Sequence, residues 1–252
     1  MMAYTVSGCI VTYNNADKIE KTVSSLLENT KGVNLHLYIV DNCSSDGTAQ
    51  LVEEKFPSVK VIRAEKNAGF GAGHNLVIPY LDSDFHAVIN PDIVIEDDVL
   101  TALCETAQKY PGAGLLSPKI INPDGSEQLL GKKIPSFKYL AAHRLYKPGQ
   151  EPGRLMKEYC MTDGGDEPFE IKNATGCFMF FRTAEFKRLG GFDERFFMYL
   201  EDCDIARRAN TALFVPGVQV KHMWERASKT NKKLLMVHVQ SIIKYHLKWL
   251  FR

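Results

Sequence analysis

No run in this 252-residue chain approaches the roughly 18 consecutive apolar residues of a membrane span, which argues against an integral membrane protein. The first residues lack a basic stretch followed by an apolar core and a small-residue cleavage site, so a cytoplasmic rather than exported protein is expected. Six cysteines (Cys9, Cys43, Cys104, Cys160, Cys177 and Cys203) are scattered without a CxxC pair, which disfavours a structural zinc site and fits free thiols in a reducing compartment. There is no GxGxxG after the first predicted strand and no GxxxxGK[ST] anywhere, which disfavours a dinucleotide fingerprint and excludes an NTPase loop. Internal repeats and low-complexity tracts are also missing, so one continuous domain is expected.

What is present is an ordinary globular composition, 45% apolar and 24% charged, long enough for a sizeable core. The net charge of +1 gives no reason to expect a nucleic-acid partner, but it conceals an asymmetry. Residues 221–252 carry eight Lys/Arg (Lys221, Arg226, Lys229, Lys232, Lys233, Lys244, Lys248 and Arg252) against Glu225 alone, a net +7 that leaves −6 for the rest. A basic tail of this kind suits phosphates or an anionic membrane surface, and equally a solvated helix face.

The first half alternates strands and helices. Thr5 to Thr12 reads as a buried parallel strand, and the next helix places Ile19, Val23, Leu26 and Leu27 on one face, with caps from residues 14–17 and a stop at Gly32. Strands are predicted at Leu35 to Val40, Val59 to Ile62 and Ala87 to Asn90, with helices from Asp46-Gly47 to Phe56 and from Asp97 to Tyr110. This βαβαβ order implies an α/β fold with a doubly wound, mostly parallel sheet, whose ligands bind beyond the carboxyl ends of the strands. Farther on, strands are predicted at Gly114 to Ser117, Thr175 to Arg182, Leu213 to Val215 and Val218 to Lys221. Residues 126–170 read as a mobile or partly helical insertion. Helices are predicted at Ala184 to Leu189, Glu201 to Asn210 and Lys233 to Leu250, the last with Leu235, His238, Ile242, Tyr245 and Trp249 on one face.

The most informative stretch runs from Gly190 to Asp204. It packs Glu201, Asp202 and Asp204 into four residues behind a wall of aromatics. An acid held against apolar rings has its charged form disfavoured, which moves it toward a general-base range. Asn90-Pro91-Asp92 leaves the end of a predicted strand. A hard cation, Mg²⁺ or Mn²⁺, needs one or two carboxylates plus phosphate oxygens and water. Asp92 offers the carboxylate and Asn90 only an amide, so metal affinity without a bound diphosphate should be modest. Asp41, at another strand end, is placed to accept from a nucleobase N–H, and Tyr13 to cover the base. His222, with Arg226, Ser228 and Lys229, forms a further set able to ligate a metal and grip a diphosphate. The glycines of Lys66 to Asn75 suit close backbone approach to a ligand or a plain flexible loop.

Together, Ile10 to Asn14, Val40 to Gly47, Asn67 to Asn75, Asn90 to Asp92, Thr175 to Met179 and Gly190 to Asp204 resemble the family 2 glycosyltransferases of GT-A fold, in particular their rhamnosyltransferase-like branch. The resemblance spans roughly residues 5–228. It implies inverting sugar transfer from a nucleotide-diphospho-sugar, dTDP-rhamnose first and a UDP-sugar next, to a glycan or polyprenyl-linked acceptor in cell-surface polysaccharide synthesis. Thr12, Tyr13, Asp41 and Asn67 would hold the nucleotide, and Asn14, Gly71, Asn75 and Asn90 complete the expected donor-binding set. Asp92, at the position of the family's DxD motif, and His222 would hold the divalent cation. Asp202 would deprotonate the acceptor, with Glu201 orienting it or taking that role, while Asp204 serves the helix start. The motif departs from the family in reading Asn-Pro-Asp. Pro79 interrupts the helix expected after Asn75.

A single domain is therefore expected, with a donor-binding half over 1–115, an acceptor-binding half over 116–228 and a basic amphipathic helix over 229–252. The tail suggests peripheral contact with the inner face of the plasma membrane, or a homodimer contact. Two other readings stand beside transfer: a non-catalytic module that binds a nucleotide-sugar or glycan on the same fold, and nucleotidyl transfer, which Thr12-Tyr13-Asn14 disfavours by standing where a basic glycine-rich loop would be needed.

Overall fold

The computed structural model describes residues 4–147, 149–223 and 232–250. The N-terminal half follows the expected alternation: β1 (Thr5–Thr12), α1 (Ile19–Asn29), β2 (Asn34–Asp41), α2 (Thr48–Lys55), β3 (Lys60–Arg63), α3 (Phe70–Asn75), β4 (Phe85–Ile89), β5 (Ile93–Val94) and α4 (Val99–Lys109). Then come β6 (Leu115–Ile121), α5 (Phe137–Leu145), α6 (Arg154–Cys160), β7 (Phe169–Ile171), β8 (Phe178–Arg182), α7 (Thr183–Leu189), α8 (Glu201–Arg208), β9 (Ala212–His222) and α9 (Lys232–Leu250). The sheet order is β3-β2-β1-β4-β8-β6-β9-β5, with β7 also on β9. From β3 to β4 every pairing is parallel; β8 then runs antiparallel between β4 and β6, and β6 and β9 are parallel again.

Both faces of the sheet are covered, which explains the unbroken apolar runs of its strands. Side chains alternate along each strand. Val6 and Ile10 of β1, Phe85 and Ala87 of β4, and Phe178 and Phe180 of β8 join the core beneath α1, α2 and α4. Cys9 and Val11, Val88, and Met179 and Phe181 join the opposite core, with Phe186 of α7 and Ile205 of α8.

Several elements differ from expectation for local reasons. β9 is one strand rather than two, because β6 passes from Pro118↔Val215 to Lys119↔Gln219 and lets the extra residues bulge. β8 starts at Phe178, not Thr175, because the Gly176 amide and Cys177 carbonyl are bonded elsewhere. The helical insertion carries a small core of its own, with Tyr139 stacked on Tyr159 at 5.0 Å beside Met156 and Cys160. The chain after Asn75 turns through a short 3-10 segment at Ile78–Tyr80 that accommodates Pro79.

The inner face of α9 is the predicted one, with Ser241 and Tyr245 buried and Ile242 and Trp249 packed on Phe196, Leu200 and Cys203. The charges of this helix are partly consumed inside. Lys248 is buried between Asp193 and Asp204, and Lys244 donates to the Arg195 carbonyl at 2.8 Å. Lys221 likewise pairs with Glu96. The basic tail is thus less of a free patch than its composition implies. Arg226, Lys229 and Arg252, together with Ser228, lie outside the described residues.

The glycine-rich segment is not a loop but the lead into α3. Gly69 has φ +100°, and a Cβ there would sit 2.0 Å from the Phe197 carbonyl, which accepts the Phe70 amide at 2.9 Å. Gly47 also has positive φ (+83°) but faces open space. Gly69→Ala is therefore expected to cost about 2–4 kcal/mol, read as a fall in Tm of roughly 5–15 °C, while Gly47→Ala costs about 1 kcal/mol. Equal melting points for the two variants would contradict this close contact.

Candidate active site

The carboxyl ends of β1 and β2 lie side by side, with Thr12 in register with Asp41. Thr12 is buried and donates to Asn15 Oδ1 at 3.0 Å; the same oxygen accepts the Tyr13 amide at 3.0 Å. This holds the turn that leaves the Tyr13 ring 50% exposed at the crevice edge. Asn14 does something else. It has φ +53°, donates its amide to Ser44 Oγ at 2.9 Å and accepts the Ser45 amide at 2.9 Å, so its side chain ties two loops together rather than facing a ligand. Asp41 is nearly fully buried. One carboxylate oxygen accepts the Ser44 amide at 3.1 Å; Oδ1 receives no hydrogen bond among the described residues, which is costly unless a donor arrives. The Asn67 side chain accepts the Gly69 amide at 3.0 Å and shapes the entry to α3.

Gly71 and Asn75 are engaged within the fold. A Cβ on Gly71 would lie 2.7 Å from Phe192 Cβ, so this glycine permits packing of α3 on the 190s segment. The Asn75 amide is fully engaged there: it donates to the Phe192 carbonyl and to Glu194, each at 2.9 Å, and accepts the Phe192 amide at 2.8 Å. Both hold the acid-bearing segment against α3.

The Asn90-Pro91-Asp92 turn is held from three sides. The Pro91 carbonyl accepts from Thr22 Oγ1 at 2.8 Å, the Asn90 amide donates to the Cys177 carbonyl at 2.9 Å, and the Asp92 carbonyl accepts the Met223 amide at 2.9 Å. Antiparallel pairing of Ile93 with His222 brings His222 alongside, its Nε2 3.2 Å from Asp92 Oδ1. Gln128, which no motif had marked, fixes the ring. Its Nε2 donates to the His222 carbonyl at 3.1 Å, so its Oε1, 3.1 Å from Nδ1, accepts the Nδ1 proton and turns Nε2 toward Asp92. A carboxylate oxygen and an oriented imidazole nitrogen this close suit two neighbouring ligands of one hard cation. No cluster of three or more His, Cys, Asp or Glu able to hold a metal occurs among the described residues, so phosphate and water would have to complete the shell.

The acid pair opens α8. The two residues before it, Tyr199 (φ +71°) and Leu200 (φ +66°), are in the left-handed region, an uncommon and strained conformation for bulky side chains. It turns the chain so that the two acids diverge. Asp202 lines a cavity of about 440 Å³, while Glu201 lies behind it toward Gly71. Asp202 accepts the Gly176 amide on Oδ2 and the Cys203 amide on Oδ1, both at 2.8 Å. Glu201 Oε2 is buried with no hydrogen bond. Burial, then the charge of Asp202, drives Glu201 toward its protonated form. Burial also raises Asp202, but the Gly176 and Cys203 amides oppose it. The pair shares its strain unequally, and Asp202 is the member kept ionised.

Gly176 and Cys177, within a stretch that carries the resemblance but was given no role, form a link. One amide of this two-residue strap holds the Asp202 carboxylate, and the next carbonyl holds the Asn90 amide. Asp204 is a further correction. Although in the first turn of α8, it is fully buried and bonded to Arg208 Nε at 2.8 Å, Lys248 and Trp249 Nε1 at 3.1 Å, which fastens α8 to α9. The Arg208 pair is a local i,i+4 contact, but those to Lys248 and Trp249 come from about 45 positions away and leave no local trace for a sequence reading to find.

The chain resembles several known proteins. The family described as "Glycosyl transferase family 2" matches residues 7–190. An N-acetylglucosaminyl-diphospho-decaprenol L-rhamnosyltransferase of Mycobacterium tuberculosis is 30% identical over 230 residues, 84% of this chain and 74% of its own. The rhamnosyltransferase WbbL of Escherichia coli is 26% identical, over 94% of this chain and 90% of its own. Among solved structures, a mannosyltransferase of Pyrobaculum calidifontis in complex with GDP-Man and Mn²⁺ superposes with a TM-score of 0.68 at 15% identity, covering 100% of this chain and 66% of that one. GalNAc-T7 with UDP, GalNAc and Mn²⁺ gives 0.64 at 17% identity, over 94% and 48%. The sheet, the crevice and these likenesses agree: the chain is a GT-A glycosyltransferase and belongs to glycosyl transferase family 2.

Proposed function

We propose that the chain transfers a sugar, with inversion, from a nucleotide-diphospho-sugar to a hydroxyl of a lipid-linked glycan, and that dTDP-rhamnose is its first-choice donor, with a UDP-sugar next. The observation that carries this reading is the strap at Gly176-Cys177, which ties the carboxylate facing the cavity to the turn bearing Asp92. Two rhamnosyltransferase relatives support the donor, and the printed name of one, a diphospho-decaprenol transferase, supports the acceptor class.

In this reading the free oxygen of Asp41 accepts a base N–H, the Tyr13 ring covers the base, and Thr12 holds the turn between them. Asp92 and His222 would hold the divalent cation, with Gln128 orienting the ring. When bound, the cation neutralises the departing diphosphate. Asp202 accepts the proton of the acceptor hydroxyl. The acceptor oxygen bonds to the anomeric carbon on the face opposite the diphosphate, and the bond from that carbon to the diphosphate oxygen breaks. Glu201, protonated behind Asp202, adds no competing negative charge at neutral pH.

These roles separate the two acids. Asp202→Asn is expected to lower kcat for transfer by about 10²–10⁴-fold with donor binding retained, and Glu201→Gln to change it less than about tenfold. A fully active Asp202→Asn enzyme would remove Asp202 as the base.

The acid limb of activity should follow Asp202. Its folded-state pKa is raised, so the active ionised form is lost as pH falls through a value above the ordinary aspartate value of about 3.9. A profile of kcat/KM against pH that stays flat down to about pH 4 would contradict that.

For the cation, Mn²⁺ is expected to tighten binding of the nucleoside diphosphate. Asp92→Asn should abolish that gain, and Gln128→Ala should weaken Mn²⁺ binding by about 10–100-fold. Calorimetry with Mn²⁺ and with chelator measures both, and equal nucleotide affinity in the two conditions would count against the site.

A further inference from the structure

We infer that the cleft between α5 and α9 is the channel for the acceptor's lipid end, with apolar walls for the hydrocarbon and Arg144 beside the mouth for its phosphate. The inference rests on the transfer reading above and adds the part of the acceptor recognised and the residues that recognise it.

The cavity that ends on Asp202 is about 440 Å³, within the ordinary range for small-molecule sites. Its walls are Leu140 and Ala141 of α5 and Leu235, Val239 and Ile242 of α9. A free oligosaccharide would need hydrogen-bonding groups along such walls; these offer methyl and methylene groups. Besides Tyr159, Tyr199 and Cys203, the polar lining among the described residues falls into two groups. Near the reacting end stand Asp202, Asn173 and Thr175; on the α5 side stand His143 and Arg144, with His238 of α9 facing them. Among the described residues Asp202 is the sole acid of the lining, so an entering phosphate meets little other negative charge there. Arg144 lies close enough to His238 that its charge, after burial, helps hold that imidazole below its usual range, so the guanidinium supplies the mouth's permanent positive charge.

The apolar surface also continues outward. Val239 belongs both to the cavity wall and to a stripe of exposed residues along α9: Met236, Val239, Ile243, Leu247 and Leu250. Across the mouth, Phe137 and Leu145, at the two ends of α5, are 65% and 79% exposed. An amphiphile whose chain runs along this surface and whose phosphate stops at Arg144 would bring its sugar to Asp202. That continuity from the exposed stripe to the base, with one cation on the way, selects a phosphorylated lipid over a soluble glycan.

The test uses the whole protein saturated with nucleoside diphosphate and Mn²⁺, so that the donor site is filled. It is titrated by calorimetry with farnesyl diphosphate, farnesol and inorganic pyrophosphate. Farnesyl diphosphate is expected to bind more tightly than either part alone by about tenfold or more. Arg144→Ala should weaken it by about tenfold or more and leave farnesol unchanged. Leu140→Glu, placing a charge in the apolar wall, should weaken both farnesyl ligands. Thermal unfolding checks that each variant folds, and Arg144→Gln serves if Arg144→Ala does not. Farnesyl diphosphate binding that is absent, or the same in native protein and the Arg144 variant, overturns the channel. Donor hydrolysis is followed in parallel. Protein that hydrolyses donor yet fails these titrations loses the channel alone; protein that binds no nucleotide-sugar loses the transfer reading and the channel with it.

Discussion

The hydrogen bond from the Gly176 amide to the Asp202 carboxylate is the contact on which the site depends. At 2.8 Å it opposes the burial that drives the acid toward its neutral form, and the neighbouring Cys177 carbonyl carries the tether on to Asn90. The proposed base, Asp202, and the proposed diphosphate-side carboxylate, Asp92, lie 110 positions apart, yet a two-residue strap sets their relation. A base is useful only where the leaving group is held on the opposite side of the same carbon, so in the proposed reaction this tether would fix the geometry that inversion requires. It also explains why β8 gives up its first residues: their backbone groups serve the site instead of the ladder.

A tether is only as rigid as its anchors. α8 is pulled into place by the buried Asp204, which Arg208, Lys248 and Trp249 satisfy from two helices. A buried carboxylate with charged partners of this kind is strongly destabilised if one is removed, by about 3–5 kcal/mol. The left-handed Tyr199 and Leu200 then become understandable. Their strain is held by Ser241 on the Met198 carbonyl at 2.8 Å and by the ring contact of Tyr199 with His238 at 4.6 Å. The C-terminal helix is therefore part of the active site's scaffold, and its inward lysines are structural before they are a surface charge.

Much of the donor half was legible because its signals are local. Apolar runs, a helix period and acids at strand ends are all read within about ten residues, and β1, β2, α1, Asp41 and Asp92 follow from them. The acid pair was legible for the same reason: aromatics and carboxylates crowd one short stretch. What escaped was set by distant contacts. Gln128 meets His222 across 94 positions, and Asn75 meets Phe192 across 117. The glycines of the Asn67 to Asn75 stretch looked like ligand-facing positions, yet Gly69 and Gly71 are spent on close packing against Phe197 and Phe192. Asp204 looked like a helix-start acid and is a core ion.

The most direct measurement is a structure of the chain with nucleoside diphosphate and Mn²⁺ bound. The account predicts the base against Asp41, the cation on Asp92 Oδ1 and His222 Nε2, and Asp202 still bonded to the Gly176 amide and facing the cavity between α5 and α9. A nucleotide seated away from Asp41, or a cation that ignores both Asp92 and His222, would contradict it.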